Sequence, residues 1–496
     1  MNVNKYIKLW LIPIICTCGI SQVNAISLKD VVAEVLDTNP IIVERLRNYK
    51  ATREEVNIAD AGYYPTLDFQ SSYGKKYEGR VSSKVLKTTE NIFQNSLILR
   101  QNIFDGFSTH EKVNYQKMRT LAAAFSYLEK ANDVTLQTIN VYLELLKQQE
   151  LFRNSEMNVK HNHNLYVKVA KAYKAGLTTL SEMSKIQSSL SLAKSNMMVQ
   201  KNKVTNAMFN FRRITGHLIS LKKVTKPNFG LKLPKNQKKA TMFALEYNPS
   251  LLVGKYNIRG AEALYRESKS QFMPKVDIEM SENYNDNYGP LSTPEDRFQA
   301  MVVVRYNLFN GGADEATKRN KLAKLSQEIS VVDYLKRQVV EGLDLSWSAY
   351  ELSNEQIPFL KDYKSQSAET LKLYSKEYEL GERSLLDLLA TENDLKRAND
   401  ELINAKYNLL LAKYRILDAM GLTMSSIMGD VTKYYNRVGV FTQEKMTGRD
   451  TLPISLDNDQ DGVPSTKDIC AQSKKKNGVR PFGCTKGYKS LKKVRI

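Results

Sequence analysis

The chain repeats itself. LRQNIFDGF at residues 99–107 returns as VRYNLFNGG at residues 304–312, an offset of 205 positions. The surroundings return with it. Asn39-Pro40 recurs as Asn248-Pro249, and GYYPTLDF from Gly62 recurs as QFMPKVDI from Gln271, both at an offset of 209. Tyr173-Lys174-Ala175-Gly176 recurs as Tyr378-Glu379-Leu380-Gly381, and Gly216 as Gly421, again at 205. The slip of four residues therefore falls between Pro65 and Phe104. A chance match does not hold register over such a distance, so an architecture of about 200 residues is present twice. The first copy is expected over 26–225, a linker over 226–240 and the second copy over 241–449.

The two copies leave a leader and a tail. Residues 1–25 place Lys5 and Lys8 ahead of an apolar stretch from Leu9 to Cys18 and a small-residue site at Val23-Asn24-Ala25, the plan of a secretory signal peptide cut after Ala25. That apolar stretch is short for a membrane span of about 20 residues. Cys16 and Cys18 leave with the leader, and Cys470 and Cys484 remain as a pair that an oxidising compartment lets form a disulfide. The net charge of +20 would fit nucleic acid, but export removes that partner. Ala471 to Ile496 holds nine Lys or Arg and no acid, which suits phosphate-rich lipid headgroups, wall polymers or plain solvation.

Four segments alternate, three of them cleanly. From Lys275 to Asn285, Val276, Ile278, Met280 and Tyr284 alternate with Lys275, Asp277, Glu279 and Asn283. From Phe298 to Leu308, Phe298, Ala300, Val302, Val304, Tyr306 and Leu308 stand against Gln299, Arg305 and Asn307. The first copy sets Leu67, Phe69 and Tyr73 against Asp68, Gln70 and Ser72, with a less regular partner from Asn91 to Phe104. Period-two patterning gives one apolar and one polar face. Strands of about ten residues suit a tilted crossing of a bilayer. Four of them leave two bare edges, each costing several kcal/mol per unpaired backbone group in hydrocarbon. Such strands in a membrane require several chains to share one barrel.

Between the strand pairs, Phe107 to Ala175 contains neither Gly nor Pro, and a continuous helix of that length reaches roughly 100 Å. Apolar residues recur at three-four spacing in Leu136, Ile139, Leu143 and Leu146, in Met183, Ile186, Leu190, Ala193 and Met197, and in Leu385, Leu388, Leu395, Ala398 and Leu402. These are coiled-coil seams, with Gly176 and Gly381 at the hairpin tips. Gly342 and Pro358 predict a kink or break in the second long helix. The four histidines, His110, His161, His163 and His217, form no group that chemistry needs, and no phosphate-binding glycine loop is present, so no enzyme is expected.

The order of leader, helix, Tyr-x-Pro strand, hairpin, Phe-(Asp/Asn)-Gly and long helical hairpin, all twice, resembles the TolC family of outer-membrane channels over about residues 26–440. The resemblance implies a mixed fold. The implied architecture is a homotrimeric outer-membrane β-barrel with four strands per chain, continued by a long periplasmic α-helical barrel. It also implies an adaptor protein and an inner-membrane ABC transporter or proton-driven pump as partners, with outer-membrane lipid around the barrel. Export of polypeptides by type I secretion is the favoured role and small-molecule efflux the alternative. A coiled-coil surface adhesin is the alternative of another class. Matched to the family's periplasmic gate, Tyr378 and Arg383 fall on positions that hold the tip closed, Ser181 and Glu182 on their partners, and Asp387 on an aperture acid, while Ala390 replaces a second acid. The expected links are Arg383 to Ser181 and Tyr378 to Glu182, with an Arg383–Asp387 pair on one helix face as the plainer outcome.

In the tail, Asp457, Asp459, Asp461 and Asp468 stand at positions one, three, five and twelve with Gly462 at six, the spacing of a Ca²⁺ loop. It looks like a single thrombospondin type 3 repeat, in which Ca²⁺ would position Cys470 to pair with Cys484. An acidic linker is the plain alternative.

Overall fold

The computed structural model describes residues 26–80, 86–218, 224–288 and 294–440. The leader, the tail acids Asp457, Asp459, Asp461 and Asp468, and Cys470 and Cys484 lie outside them.

The same element order runs twice. Helices α1 (Leu28–Thr38) and α2 (Pro40–Asp60), strands β1 (Thr66–Arg80) and β2 (Leu86–Phe104), and helices α3 (Ser108–Lys174) and α4 (Leu180–Thr215) make the first half. Then α5 (Gln237–Tyr247), α6 (Pro249–Glu267), β3 (Lys275–Tyr288), β4 (Glu295–Arg305), α7 (Ala313–Glu379) and α8 (Leu385–Ala419) repeat it. Short helices α9 (Thr423–Met428) and α10 (Thr432–Asn436) follow.

Each repeated motif does a local job. Asn39 and Asn248 cap α2 and α6, their side-chain oxygens taking the N–H of Ile41 at 3.0 Å and of Ser250 at 2.9 Å, with Pro40 and Pro249 in the first helical position. Their amide nitrogens reach the far end of the same half, donating to the Ile214 carbonyl at 3.1 Å and the Ala419 carbonyl at 2.9 Å. One side chain thus starts one helix and ties down the end of another. Pro65 and Pro274 hold the preceding residues, Tyr64 and Met273, extended, which launches β1 and β3. At the strand-to-helix junction the chain turns through two consecutive left-handed residues, Gly106 (φ 70°) and Phe107 (φ 68°), or Gly311 (φ 58°) and Gly312 (φ 82°). A Cβ on Gly106 would lie 2.9 Å from the Ser270 carbonyl oxygen, so only glycine fits there.

The long helices α3 and α7 are each 67 residues. Gly176 (φ 74°) and Gly381 (φ 82°) close the tips, where the N–H of Leu177 donates to Ala172 at 2.8 Å and that of Glu382 to Glu377 at 2.9 Å. The break predicted at Gly342 and Pro358 does not occur, and α7 runs through both. Pro358 and Asn354 are exposed, so the carbonyl that loses its helical partner can be solvated, while buried Ile357 and Leu360 anchor the segment on Leu402 and Ala405 of α8.

The four strands form one antiparallel sheet in the order β1-β2-β3-β4. At its base Thr66 pairs with Arg100 and Lys275 with Arg305. Arg100 lies 34 positions after Thr66 and Arg305 30 after Lys275, so the four-residue slip falls between these equivalent pairs, inside the hairpin. The second copy's last strand stops at Arg305, short of the expected Leu308. Residues 101–104 of β2 are strand because β3 pairs with them, whereas Tyr306 to Phe309 meet no further strand within the chain.

The main core gathers on α3 between Leu121 and Leu146, where Tyr127, Leu128, Ile139, Tyr142 and Leu145 are buried among α1, α2, α4, α6 and α8. Each such side chain contributes about 1.5–3 kcal/mol. Of the anticipated seam residues, Ile139, Leu143, Leu146, Ile186, Leu190, Ala193, Leu385, Leu388, Ala398 and Leu402 are buried.

Candidate functional site

The sheet inverts the usual burial rule. Opposed residues share a face, so Leu67, Phe69 and Tyr73 lie with Leu99, Leu97 and Phe93, and on the same face follow Met280, Ile278, Val302, Ala300 and Phe298, with the acids Glu282, Asp286 and Asp296 joining it only towards the hairpin ends. This apolar face is open, with Phe69 70% and Val302 69% exposed. The opposite face carries Asp68, Gln70, Ser72, Arg100, Asp277, Glu279, Asn283 and Arg305. At its base Arg305 binds both Asp277 and Glu279, Arg100 donates to Glu279 at 3.1 Å, and Asn102 donates to Asp277 at 2.8 Å. An apolar face turned outward and a polar, ion-paired face turned inward is the arrangement of a barrel wall in lipid. Among the described residues no helix is long and apolar enough to cross a membrane.

At the far end, the tips of the two helical hairpins pack on each other. Val169 and Ile186 of the first and Leu385 and Leu389 of the second form a small core, with Tyr378 beside it. Lys168 and Glu379 bridge the hairpins at 2.6 Å.

The residues expected to form the gate lie at this tip, though not in the expected pairs. Arg383 lies in the turn before α8, so it shares no helix face with Asp387. It donates to Glu377 at 2.9 Å and stacks over the Tyr374 ring at 4.1 Å, both within its own hairpin, rather than reaching Ser181. Ser181 is exposed in the first turn of α4. Glu182 accepts from the Thr178 hydroxyl, and its N–H is capped by Thr179. Tyr378 sits close to Glu182 without a hydrogen bond; burial, then the Glu182 charge, pushes its phenol above the ordinary value. Asp387 forms a capping pair with Ser384 at 2.7 Å. The chain alone therefore brings Tyr378 close to Glu182, while Asp387 is held by Ser384 within its own hairpin.

Sequence reasoning missed the seam between the hairpins. On α3, Asn154 donates to Asp400 at 2.7 Å, and Asn158 and Asn162 donate to Glu392 at 3.3 and 3.0 Å. The signal was present as three asparagines spaced by four and as a carboxylate inside the apolar stripe of α8.

The sequence profile described as "Outer membrane efflux protein" matches residues 31–217 and 243–422. The outer membrane efflux protein BepC of Brucella suis is 22% identical over 378 residues, 76% of this chain and 81% of that one. The outer membrane protein TolC of Escherichia coli is 21% identical over 428 residues, 83% and 86%. The proteases secretion protein PrtF of Dickeya chrysanthemi is 21% identical over 383 residues, 73% and 80%. The CmeC outer membrane channel of Campylobacter jejuni has the same fold, at a TM-score of 0.72 and 13% identity over 83% of this chain and 90% of that one. With a lipid-facing sheet at one end, a helical tip at the other and the profile spanning both halves, the chain belongs to the outer membrane efflux protein family, the TolC-like channels of the Gram-negative outer membrane.

Proposed function

We propose that three copies of this chain close one twelve-stranded barrel and one helical tunnel, through which polypeptides pass from an inner-membrane ABC transporter and its adaptor to the outside. The observation that carries the trimer is the unfinished sheet. β1 and β4 are both edges, and the residues that would extend β4 lack a partner within the chain.

The internal duplication also supplies the register of the joint. Within the chain Asn102 faces Asp277 and Arg100 faces Glu279. Carried through the 205 and 209 offsets, Asn307 faces Asp68 of the next copy and Arg305 faces Gln70. Among the described residues Asp68 has no hydrogen-bond or ion-pair partner. The helices agree with this. α4 carries six basic residues and one acid, while residues 338–379 of α7 carry eight acids and four bases, so these two uncovered flanks attract. Leu345, Leu352, Phe359 and Leu373, at seven-residue multiples along α7, are exposed.

The test is disulfide formation between Asp68→Cys and Asn307→Cys, with Cys470 and Cys484 replaced by Ser. Covalent trimers are expected from that pair and not from Asp68→Cys with Tyr306→Cys, because one step of register flips a side chain to the other face. Equal yields from both pairs would overturn the register.

The likeness to PrtF supports polypeptide cargo. Small-molecule efflux is the second reading, supported by the family description itself and by the likeness to BepC. A strain lacking the chain that retains a secreted polypeptide yet resists dyes and detergents normally favours the first reading; the reverse favours the second. The Ca²⁺ loop at Asp457, Asp459, Asp461 and Asp468 and the Cys470–Cys484 disulfide belong to this proposal as a clasp on the tail, tested by calorimetry with Ca²⁺ on native chain and on Asp459→Asn.

A further inference from the structure

Glu392 stands where a helix seam calls for a leucine. It follows Leu385, Leu388 and Leu389 and precedes Leu395, Ala398 and Leu402 on the inner stripe of α8, and it is buried. Asn158 and Asn162, both on α3, donate to one of its oxygens. Ser189 of α4 donates to the Asn162 side-chain oxygen at 2.8 Å, which orients that amide with its nitrogen towards Glu392. The carboxyl is therefore shared among three helices of the two hairpins, some two turns from the tip.

Among the described residues no cation answers it. On α3, Lys160, His161 and His163 are exposed, and Lys168 binds Glu379. Lys185 of α4 is exposed, and on α7 Lys372 binds Glu369 at the surface. On α8 itself, Asp387 is tied to Ser384 and Lys396 to Asp400. Two amide donors do not replace water around a buried charge. Burial alone pushes the carboxyl from 4.5 up to about 7.

We propose that Glu392 is a positioning residue for the closed tip: neutral, it lets the end of the second hairpin lie tightly on the first, and ionised it loosens that contact. This rests on reading the tip as the gate. The sign follows from linkage. The acid titrates higher in the closed seam than in an opened, hydrated one, so closure is fully supported below 4.5 and weakens as pH rises towards 7. Across that window each pH unit shifts the closed-to-open ratio of one subunit by up to about tenfold, and above it the ratio is level.

Hydrogen exchange of the α8 amides at 385–396 in the full-length, detergent-solubilised channel, corrected for intrinsic base catalysis, reads the seam directly. Protection is expected to fall by about tenfold or more from pH 5 to 7 in the native chain. In Glu392→Gln, which keeps the acceptor and removes the charge, it stays at the acid value. Asn162→Ala, which removes a donor to the charged form, moves the midpoint to higher pH, a shift that lost packing would not produce. The same pH profile in native and Glu392→Gln, or protection rising with pH, overturns the proposal. Planar-bilayer conductance on the same samples separates the two layers. Exchange that follows pH as described while conductance ignores it supports Glu392 as the latch of the seam and refutes the tip as the gate.

Discussion

Leu389→Ala should open the tip. Leu389 is 5% exposed and lies in the small core where Val169 and Ile186 of the first hairpin meet Leu385 of the second. Truncation removes three carbons, about 2.4 kcal/mol at ~0.8 kcal/mol per buried carbon, and a cavity brings the total to about 2–5 kcal/mol. Parting the hairpins exposes Leu389 in the native chain, so the transfer part of that sum weighs on closure. A loss of about 2 kcal/mol lowers the closed-to-open ratio roughly 30-fold. Single-channel recording in planar bilayers reads this as longer and more frequent high-conductance events. The control is Leu402→Ala on the same helix. Leu402 is equally buried, but it packs on Ile357, Leu360 and Ala405, all within its own hairpin. It should lower the thermal midpoint without opening the channel. If Leu389→Ala leaves the open fraction within about threefold of native, or if Leu402→Ala opens the channel as much, the apolar tip core does not hold the gate.

Gly421→Ala and Gly176→Ala separate strain from collision: both glycines have positive φ, 73° and 74°, but a Cβ at 421 collides with Pro249 Cδ and at 176 meets nothing. Gly176→Ala should cost about 1–2 kcal/mol and Gly421→Ala clearly more, read as unfolding midpoints. Tyr142→Phe removes the hydroxyl that donates to the carbonyls of Thr225, at 2.6 Å, and Ile26, at 3.1 Å; it should cost about 1–3 kcal/mol and speed proteolysis near residue 225. For Asp37, burial raises the pKa, but hydrogen bonds from Lys433 and Arg437 outweigh it and leave the carboxyl below 3.8. The contribution of these pairs to the docking of α10 is therefore present at neutral pH and lost as the pH falls below that value, which limited proteolysis in acid will detect; Asp37→Asn should show the same weakening already at pH 7.

The duplication made much of this fold legible. Asn39-Pro40, Tyr64-Pro65, Phe104-Asp105-Gly106 and Gly176 each mark a local event, a cap, an extended start, a left-handed turn or a hairpin tip, and local events are written in local residues. The strands were legible because period two survives whichever side faces lipid. Extent was harder. Residues 306–308 alternate as well as any strand but have no neighbour within the chain, and Pro358 is tolerated because packing on α8 outweighs its local preference. Pair identity at the tip was hardest. Arg383 has Glu377 six residues away and takes it, a competition among carboxylates that spacing alone cannot decide. The polar seam was overlooked for a related reason: nothing local to Asn154, Asn158 and Asn162 says whether they face water or Asp400 and Glu392 on the partner helix.

The stoichiometry of the conducting particle tests the central claim most directly. Native mass spectrometry of the detergent-solubilised chain, on the same preparation that conducts in bilayers, should give three copies per pore, because four strands with two open edges cannot close alone. A conducting particle that holds one chain would contradict the account.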